Sequence, residues 1–94
     1  MAGESKLQKR IISQLESEGF LVLKVILCNK SGWPDLQILK NKKSVFIEVK
    51  DKGEEAEPLQ VFRHETLRDQ GFNVWVVDSW DCYLEIRQQF PTFK

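Results

Sequence analysis

Two short polar segments carry the residues in this sequence that are best suited to chemistry. Pro34-Asp35 stands at the start of one apolar run, and Glu48-Val49-Lys50 stands near the end of the next. Two carboxylates that neighbouring strands bring together can bind a hard divalent cation through oxygen atoms. A lysine beside them offers positive charge to an activated water or to a phosphate. These residue types therefore indicate a metal-dependent site that acts on phosphate.

The expected ion is Mg²⁺ or Mn²⁺, because both prefer oxygen ligands. Asp35 and Glu48 would supply carboxylate oxygens, and the backbone carbonyl of Val49 and bound waters would complete the set. Such an ion lowers the pKa of a bound water and stabilises negative charge that builds up on a phosphate. Lys50 would orient the attacking water or hold the scissile phosphate. Gln60, at the start of the next predicted helix, could reach the same pocket.

The same residues also have a purely structural interpretation. Glu48 and Lys50 alone fit a solvated ion pair on one strand, which contributes little to stability, and Pro-Asp before a strand is an ordinary turn. Their combination at hairpin spacing, after the loop that contains Gly32, favours the functional interpretation.

A predicted hairpin must position these residues. Residues 35–40 and 44–50 alternate between two faces with a period of two, and the polar segment 41–43 between them indicates a turn. The alternation places Glu48 and Lys50 on one face. A hairpin tip near position 42 pairs Asp35 with position 49, so Glu48 becomes its neighbour, and a small bend or bulge would aim both carboxylates at one point.

The remaining patterns complete an α/β fold. Ser5 and Gln8 fit a capping box that opens a first helix, which Gly19 ends. Further strands are predicted at 20–27 and 73–77, a helix that begins at Pro58 and ends before Gly71, and a terminal helix from Ser79 to about position 89, capped by Asp78 or Ser79. The order α-β-β-β-α-β-α predicts a mixed four-stranded sheet between helices. A right-handed crossover would pair the third and fourth strands in parallel.

Length and composition limit the possible classes of protein. The 94 residues make a single domain, 1–94, and 14 basic residues balance 14 acidic ones. Zero net charge argues against tight nonspecific binding of nucleic acid but allows a local basic face. An apolar run of membrane-spanning length is missing, so a cytoplasmic protein with no membrane partner is expected. Cys28 and Cys82 form no CxxC or CxxH pattern, which argues against a zinc site.

Beyond the two acids and the lysine, the chain resembles the VRR-NUC domain of the PD-(D/E)xK nuclease superfamily. The resemblance runs from about Ser5 to Ser79. It rests on Gly32-Trp33-Pro34-Asp35, Phe46-Ile47-Glu48-Val49-Lys50, Leu59-Gln60, Arg63-His64, Leu67-Arg68 and Gly71-Phe72-Asn73-Val74.

The resemblance implies a restriction-endonuclease-like core and a DNA phosphodiesterase that depends on magnesium or manganese. Asp35 and Glu48 would be its metal ligands, Lys50 its catalytic lysine and Gln60 an accessory polar residue of the active site. Minimal members similar to this chain occur in phages and viruses. They imply a homodimer that cuts branched DNA such as Holliday junctions in replication, repair or recombination, in the host cytoplasm if a phage encodes it.

Two rival functions remain open from the sequence. One is a flap, single-strand or exonucleolytic nuclease that uses the same site. The other is a non-catalytic DNA-binding module with a degenerate site. Family members often carry a glutamate in the first helix, and at the aligned position this chain has Gln8. The Gln8 amide would bind a metal-bound water or serve the capping box. An interaction protein with ordinary surface charges is the third possibility.

Several residues near the expected cleft are candidates for contact with DNA. Trp33 could stack on a base or wedge a junction, although core packing suits it as well. His64, the single histidine, is expected to pack or to contact a phosphate rather than to act as a general base. The full set of candidate DNA contacts is Lys9, Arg10, Lys30, Trp33, Lys52, Arg63 and His64.

Overall fold

One mixed sheet organises the chain. The structure, a computed structural model, describes residues 2–93. Its elements are α1 (Ala2–Ser17), β1 (Leu21–Lys24), β2 (Leu36–Lys40), β3 (Lys43–Val49), α2 (Pro58–Asp69), β4 (Asn73–Val77) and α3 (Trp80–Arg87). The strands lie in the order β1-β2-β3-β4, with β1 and β3 antiparallel to β2 and with β4 parallel to β3. The predicted fold class and element order are therefore confirmed.

The first helix begins earlier than the local sequence indicates. It starts at Ala2, so Ser5 and Gln8 lie inside it and the predicted capping box is wrong. Asp51, from the loop after β3, supplies the cap instead: its Oδ1 accepts a hydrogen bond of 2.9 Å from the backbone N–H of Glu4. The first N–H groups of a helix lack partners within the helix, and a distant carboxylate satisfies one of them here.

The other helix ends follow the sequence closely. Gly19 ends α1 with φ +88°, a conformation that side chains rarely adopt. Pro58 is the first residue of α2. Of the two predicted caps for α3, Ser79 is the one used, and its hydroxyl accepts a hydrogen bond of 3.0 Å from the N–H of Cys82. None of the helices described within residues 2–93 is long and apolar enough to cross a membrane.

The hairpin between β2 and β3 is tighter than expected. Asn41 and Lys42 both have positive φ, +50° and +69°, and Lys40 pairs with Lys43. Two residues with positive φ are the signature of a two-residue hairpin turn, which suits the twist of the strands. The predicted three-residue turn is therefore wrong by one residue, and the register moves with it. The last pair at the open end is Leu36 with Ile47.

The two faces of the sheet are covered unequally. On one face, α1 and α3 pack against a large cluster that includes Val45, Ile47 and Val49, together with Ile11, Leu15, Phe20, Leu36, Ile38, Val77, Tyr83 and Ile86. On the other face, α2 covers a small cluster of Phe46, Leu67 and Val74. The predicted alternation along β3 is thus confirmed, and the open part of the second face lies toward β1.

Candidate active site

The two acids singled out from the sequence meet at the open end of the β2–β3 hairpin. Because Leu36 pairs with Ile47, the same register one residue further sets Asp35 opposite Glu48. The two carboxyl groups are near enough for each to shift the pKa of the other. No bulge is needed, since the tighter turn supplies the shift that the predicted register lacked.

Asp35 is held from several sides. Its Oδ2 accepts a hydrogen bond of 2.8 Å from the N–H of Val49, and its carbonyl accepts one of 2.8 Å from the N–H of Val25. The preceding loop is fixed by Gly32, where an added Cβ would lie 3.0 Å from the backbone of Leu59 at the start of α2. Only glycine tolerates that approach at φ +82°. The loop therefore delivers Asp35 to a defined place.

Burial makes the pair of acids reluctant to ionise together. Desolvation, followed by the hydrogen bond to Glu48 and the charge of Glu48, raises the pKa of Asp35 to about 7. Desolvation also raises the pKa of Glu48, which is 2% exposed. Ionisation of both carboxyls at once is therefore unfavourable without a cation, and a proton on one of them is favoured. A divalent cation would take the place of that proton, so the donor set fits Mg²⁺ or Mn²⁺.

His64 lies behind Glu48 rather than at the surface. Its Nε2 is 3.3 Å from Glu48 Oε1, and both side chains are 2% exposed. Burial lowers the pKa of His64, and the charges of Arg68 and Lys50 lower it further. A buried ring cannot contact a phosphate backbone, so the predicted DNA contact of His64 is corrected to packing against the acid.

Lys50 follows β3 and is half-buried beside the acids. Its positive charge lowers the pKa of Asp35, of Glu48 and of Glu4, so it lies near enough to act on all three carboxyls. Its own N–H donates to the carbonyl of Val77 at 2.8 Å, so β4 fixes the backbone there. The lysine is thus positioned to neutralise charge at the acids or on a bound phosphate.

Three further acids, which the sequence analysis did not assign to the site, lie beside it. Carboxylate oxygens of Glu4, Asp51 and Glu54 lie within 4.8 Å of one another. Burial and the charges of Asp35 and Asp51 raise the pKa of Glu4, and Glu4 in turn raises that of Glu48. Glu4 is therefore an acid of the first helix next to the Asp35–Glu48 pair. Placing the helix start at Ser5 concealed it.

The two glutamines take different places. Gln8 lies on α1 one turn after Glu4 and is 7% exposed. Gln60 uses its Oε1 to accept a hydrogen bond of 2.8 Å from the N–H of Glu57, which caps the start of α2. The oxygen of Gln60 thus serves the helix, and its amide nitrogen is the donor that can serve a substrate.

The candidate DNA contacts divide into free and packed side chains. Lys9, Lys30 and Lys52 are exposed. Arg10 is also exposed, but its Cζ lies 3.8 Å from the ring centre of Trp80, and the half-buried Arg63 donates from Nε to the carbonyl of Ser31 at 2.9 Å. Trp33 is half-buried and meets Phe46 edge to face at 5.7 Å, in agreement with the core-packing alternative.

Comparisons with known proteins agree with this geometry. No family model matches the chain. A curated relative, "Putative nuclease p44" of Acyrthosiphon pisum secondary endosymbiont phage 1, is 34% identical over 79 residues, 83% of this chain and 85% of the relative. A solved structure described as "VRR_NUC domain" superposes with a TM-score of 0.85 at 33% identity, covering 95% of this chain and 98% of that one.

A second solved structure, "VRR_NUC domain protein", superposes with a TM-score of 0.79 and covers 97% of this chain and 89% of its own. At 22% identity it supports the fold alone. The first two relatives are similar enough, over enough of their length, to show common membership. With its paired acids and adjacent lysine at the end of the hairpin, this chain belongs to the VRR-NUC family of nuclease domains.

Proposed function

We propose that the protein is an endonuclease that hydrolyses phosphodiester bonds in DNA with the help of Mg²⁺ or Mn²⁺. One observation carries the proposal: the half-buried Asp35 lies opposite the buried Glu48 and next to Lys50, and the pKa of Asp35 is raised to about 7. Such a pair is costly to maintain unless a cation uses it. The relative named as a nuclease and the family membership support the same activity.

Asp35 and Glu48 would hold the ion, with the backbone carbonyl of Val49 as a further ligand. Glu4 extends the donor set from α1, and Gln8 would contribute through a bound water. When bound, the ion would supply a water of lowered pKa and stabilise negative charge on the phosphate. Binding requires Asp35 to lose its proton, so the raised pKa of this residue couples metal affinity to pH.

The remaining residues bind and orient. Lys50 holds the scissile phosphate or the attacking water, because its charge acts on all three nearby carboxyls. His64 fixes the orientation of Glu48 through the 3.3 Å contact with Oε1, as residues behind a metal ligand commonly do. Gln60 takes its accessory role through its amide nitrogen. The exposed lysines Lys9, Lys30 and Lys52 are placed to position the phosphate backbone.

A homodimer acting on branched DNA extends this proposal. A twofold dimer presents two equivalent sites, which suits a four-way junction with two strands to cut. The open part of the second sheet face offers an apolar surface for such a contact: Leu21 and Leu23 of β1 are 63% and 51% exposed, and Phe72, which lines the same cavity as Leu21, is 40% exposed. Exposed apolar side chains of this number on a small domain suggest an interface.

Cleavage of a synthetic four-way junction tests the proposal. The wild-type protein is expected to cut it in Mg²⁺ or Mn²⁺ and to leave it intact in chelator, and Lys50→Ala and Glu48→Ala are expected to be inactive. Lys43→Ala, which removes an exposed lysine at the far end of the hairpin, is the matched control and should cut normally. Full cleavage by Glu48→Ala would sink the mechanism.

A panel of labelled flap, single-stranded, duplex and junction substrates then separates the candidate nuclease activities. Preference for the junction supports the branched-DNA assignment, and preference for a flap or single strand replaces it. Calorimetric titration with Mn²⁺ separates an enzyme from a DNA-binding module with a degenerate site. Heat of Mn²⁺ binding in the wild type that is absent in Asp35→Ala would favour the enzyme over the non-catalytic module.

A further inference from the structure

The loop that follows β1 exposes two large aliphatic side chains beside the candidate site. Ile26 is 86% exposed and Leu27 is 91% exposed, more than any other large hydrophobic residue in the described part of the chain. Single exposed apolar residues are ordinary on a protein surface, whereas two adjacent ones at a loop tip indicate a binding surface. Residues 25–31 are called the apolar loop below.

Both ends of the apolar loop are fixed to the frame of the site. At its start, the N–H of Val25 donates to the carbonyl of Asp35 at 2.8 Å. At its end, the carbonyl of Ser31 accepts a hydrogen bond of 2.9 Å from Arg63 Nε on α2. Within the loop, the thiol of Cys28 contacts the carbonyl of Lys30 at 3.3 Å. The tip is therefore presented outward by anchored ends and does not fold back onto the small core.

The position of the apolar loop beside Asp35 and the positive charges next to it both favour DNA as the partner. The anchor at Asp35 places the tip next to a proposed metal ligand, so a DNA strand whose phosphate reaches Asp35 also passes the apolar loop. Two exposed lysines, Lys24 and Lys30, flank the tip and match the charge of a phosphate backbone on either side of it. An apolar tip between cations is the arrangement with which DNA-bending proteins enter a base step.

We propose that the apolar loop inserts Ile26 and Leu27 into a base step next to the scissile phosphate and holds the bases apart. The proposal rests on the nuclease function proposed above and deepens it. Unstacking is least costly where pairing is already broken, as at a branch point. The loop would therefore favour branched over continuous duplex DNA and select substrate by deformability rather than by sequence.

Fluorescence of 2-aminopurine reports this insertion directly, because the base becomes brighter when it loses its stacked neighbours. The probe is placed at the branch point of a four-way junction, and in a second junction at the middle of one arm. Protein is added in Ca²⁺ until fluorescence anisotropy shows saturation. The wild type is expected to brighten the branch-point probe and to leave the arm probe unchanged.

The test variant is Ile26→Ser combined with Leu27→Ser, which changes only exposed side chains. It should bind to saturation, lose most of the brightening and cut the junction more slowly, on the order of tenfold. Cleavage of a single-stranded substrate should be unaffected, since nothing there must be unstacked. Leu84→Ser, an apolar residue of α3 that is 46% exposed, is the matched control and should behave as wild type.

Sedimentation velocity on the same samples identifies the competing occupant, a second copy of this chain. Brightening that persists in the double variant would overturn the proposal. So would brightening lost together with a change in sedimentation coefficient, which would assign the tip to a subunit contact. Failure of the nuclease function has a different signature, since a wild type that brightens the probe but cuts no substrate would still insert the loop.

Discussion

Asp35 and Glu48 face each other across the open end of a tight hairpin, where Glu48 is buried and Asp35 is half-buried. Burial raises the pKa of both carboxyls, that of Asp35 to about 7, while Lys50 and the N–H of Val49 act in the opposite direction. The fold thus holds both acids in an environment that disfavours their ionised forms. Strain of this kind at a site is commonly tolerated because function requires it.

The first prediction concerns stability in the absence of metal. An acid whose folded-state pKa lies above its ordinary value stabilises the fold while protonated, and that stability is lost as pH rises from 3.8 to about 7. Asp35→Asn keeps an oxygen for the Val49 N–H and removes the ionisation. At pH 8 in chelator we expect it to be more stable than wild type, on the order of 1 kcal/mol after solvent screening is allowed for.

Urea unfolding at pH 5 and pH 8 measures this effect. The wild type should lose stability between the two values more than Asp35→Asn does. Asp69→Asn, an exposed acid at the end of α2, controls for the general effect of removing a charge. A less stable Asp35→Asn at pH 8 would show that the acid pair is not under electrostatic strain.

The second prediction is that metal binding displaces a proton. The pKa of Asp35 is about 7, so at lower pH this residue carries a proton that must leave before its oxygen can act as a ligand. Calorimetry with Mn²⁺ in buffers of different ionisation enthalpy should therefore show close to one proton released at pH 6 and fewer at pH 8. Equal heats in all buffers at pH 6 would contradict a protonated Asp35 at the site.

The sequence pattern predicted the acid pair and the lysine because these residues lie on or next to two adjacent strands, β2 and β3. Alternation along β3 fixed which side chains face α2, and the polar turn identified the hairpin. The register was wrong by one residue because the sequence does not state whether Asn41 and Lys42 adopt positive φ. That one residue brings Asp35 directly opposite Glu48.

The contribution of α1 could not be predicted in the same way. Its start depends on Asp51, which caps the N–H of Glu4 across 47 positions of sequence. Rules for helix starts consider neighbouring residues, so they selected Ser5 and left Glu4 outside the helix. The partner of His64 was equally hidden, because Glu48 lies on another element.

The third prediction separates two roles of His64, the orientation of Glu48 by a hydrogen bond and the filling of space by the ring. His64→Gln keeps an N–H donor near the position of Nε2, whereas His64→Leu fills the space without one. We expect His64→Leu to weaken Mn²⁺ binding on the order of tenfold to a hundredfold and His64→Gln to retain most of the affinity. Calorimetry gives the affinity, and near-ultraviolet circular dichroism confirms packing. Equal losses in both variants, with packing intact, would mean that the hydrogen bond is not what positions Glu48.

The last prediction separates two roles of Asp51, the cap of α1 and the charge beside Glu4. Asp51→Asn retains an oxygen for the Glu4 N–H but removes the charge, whereas Asp51→Ala removes both. Urea unfolding should show Asp51→Ala destabilised by about 1 kcal/mol and Asp51→Asn much less affected. Mn²⁺ affinity should fall in both variants, because the negative charge of Asp51 beside Glu4 attracts the cation. If affinity falls only in Asp51→Ala, the residue supports the site through the helix start and not through its charge.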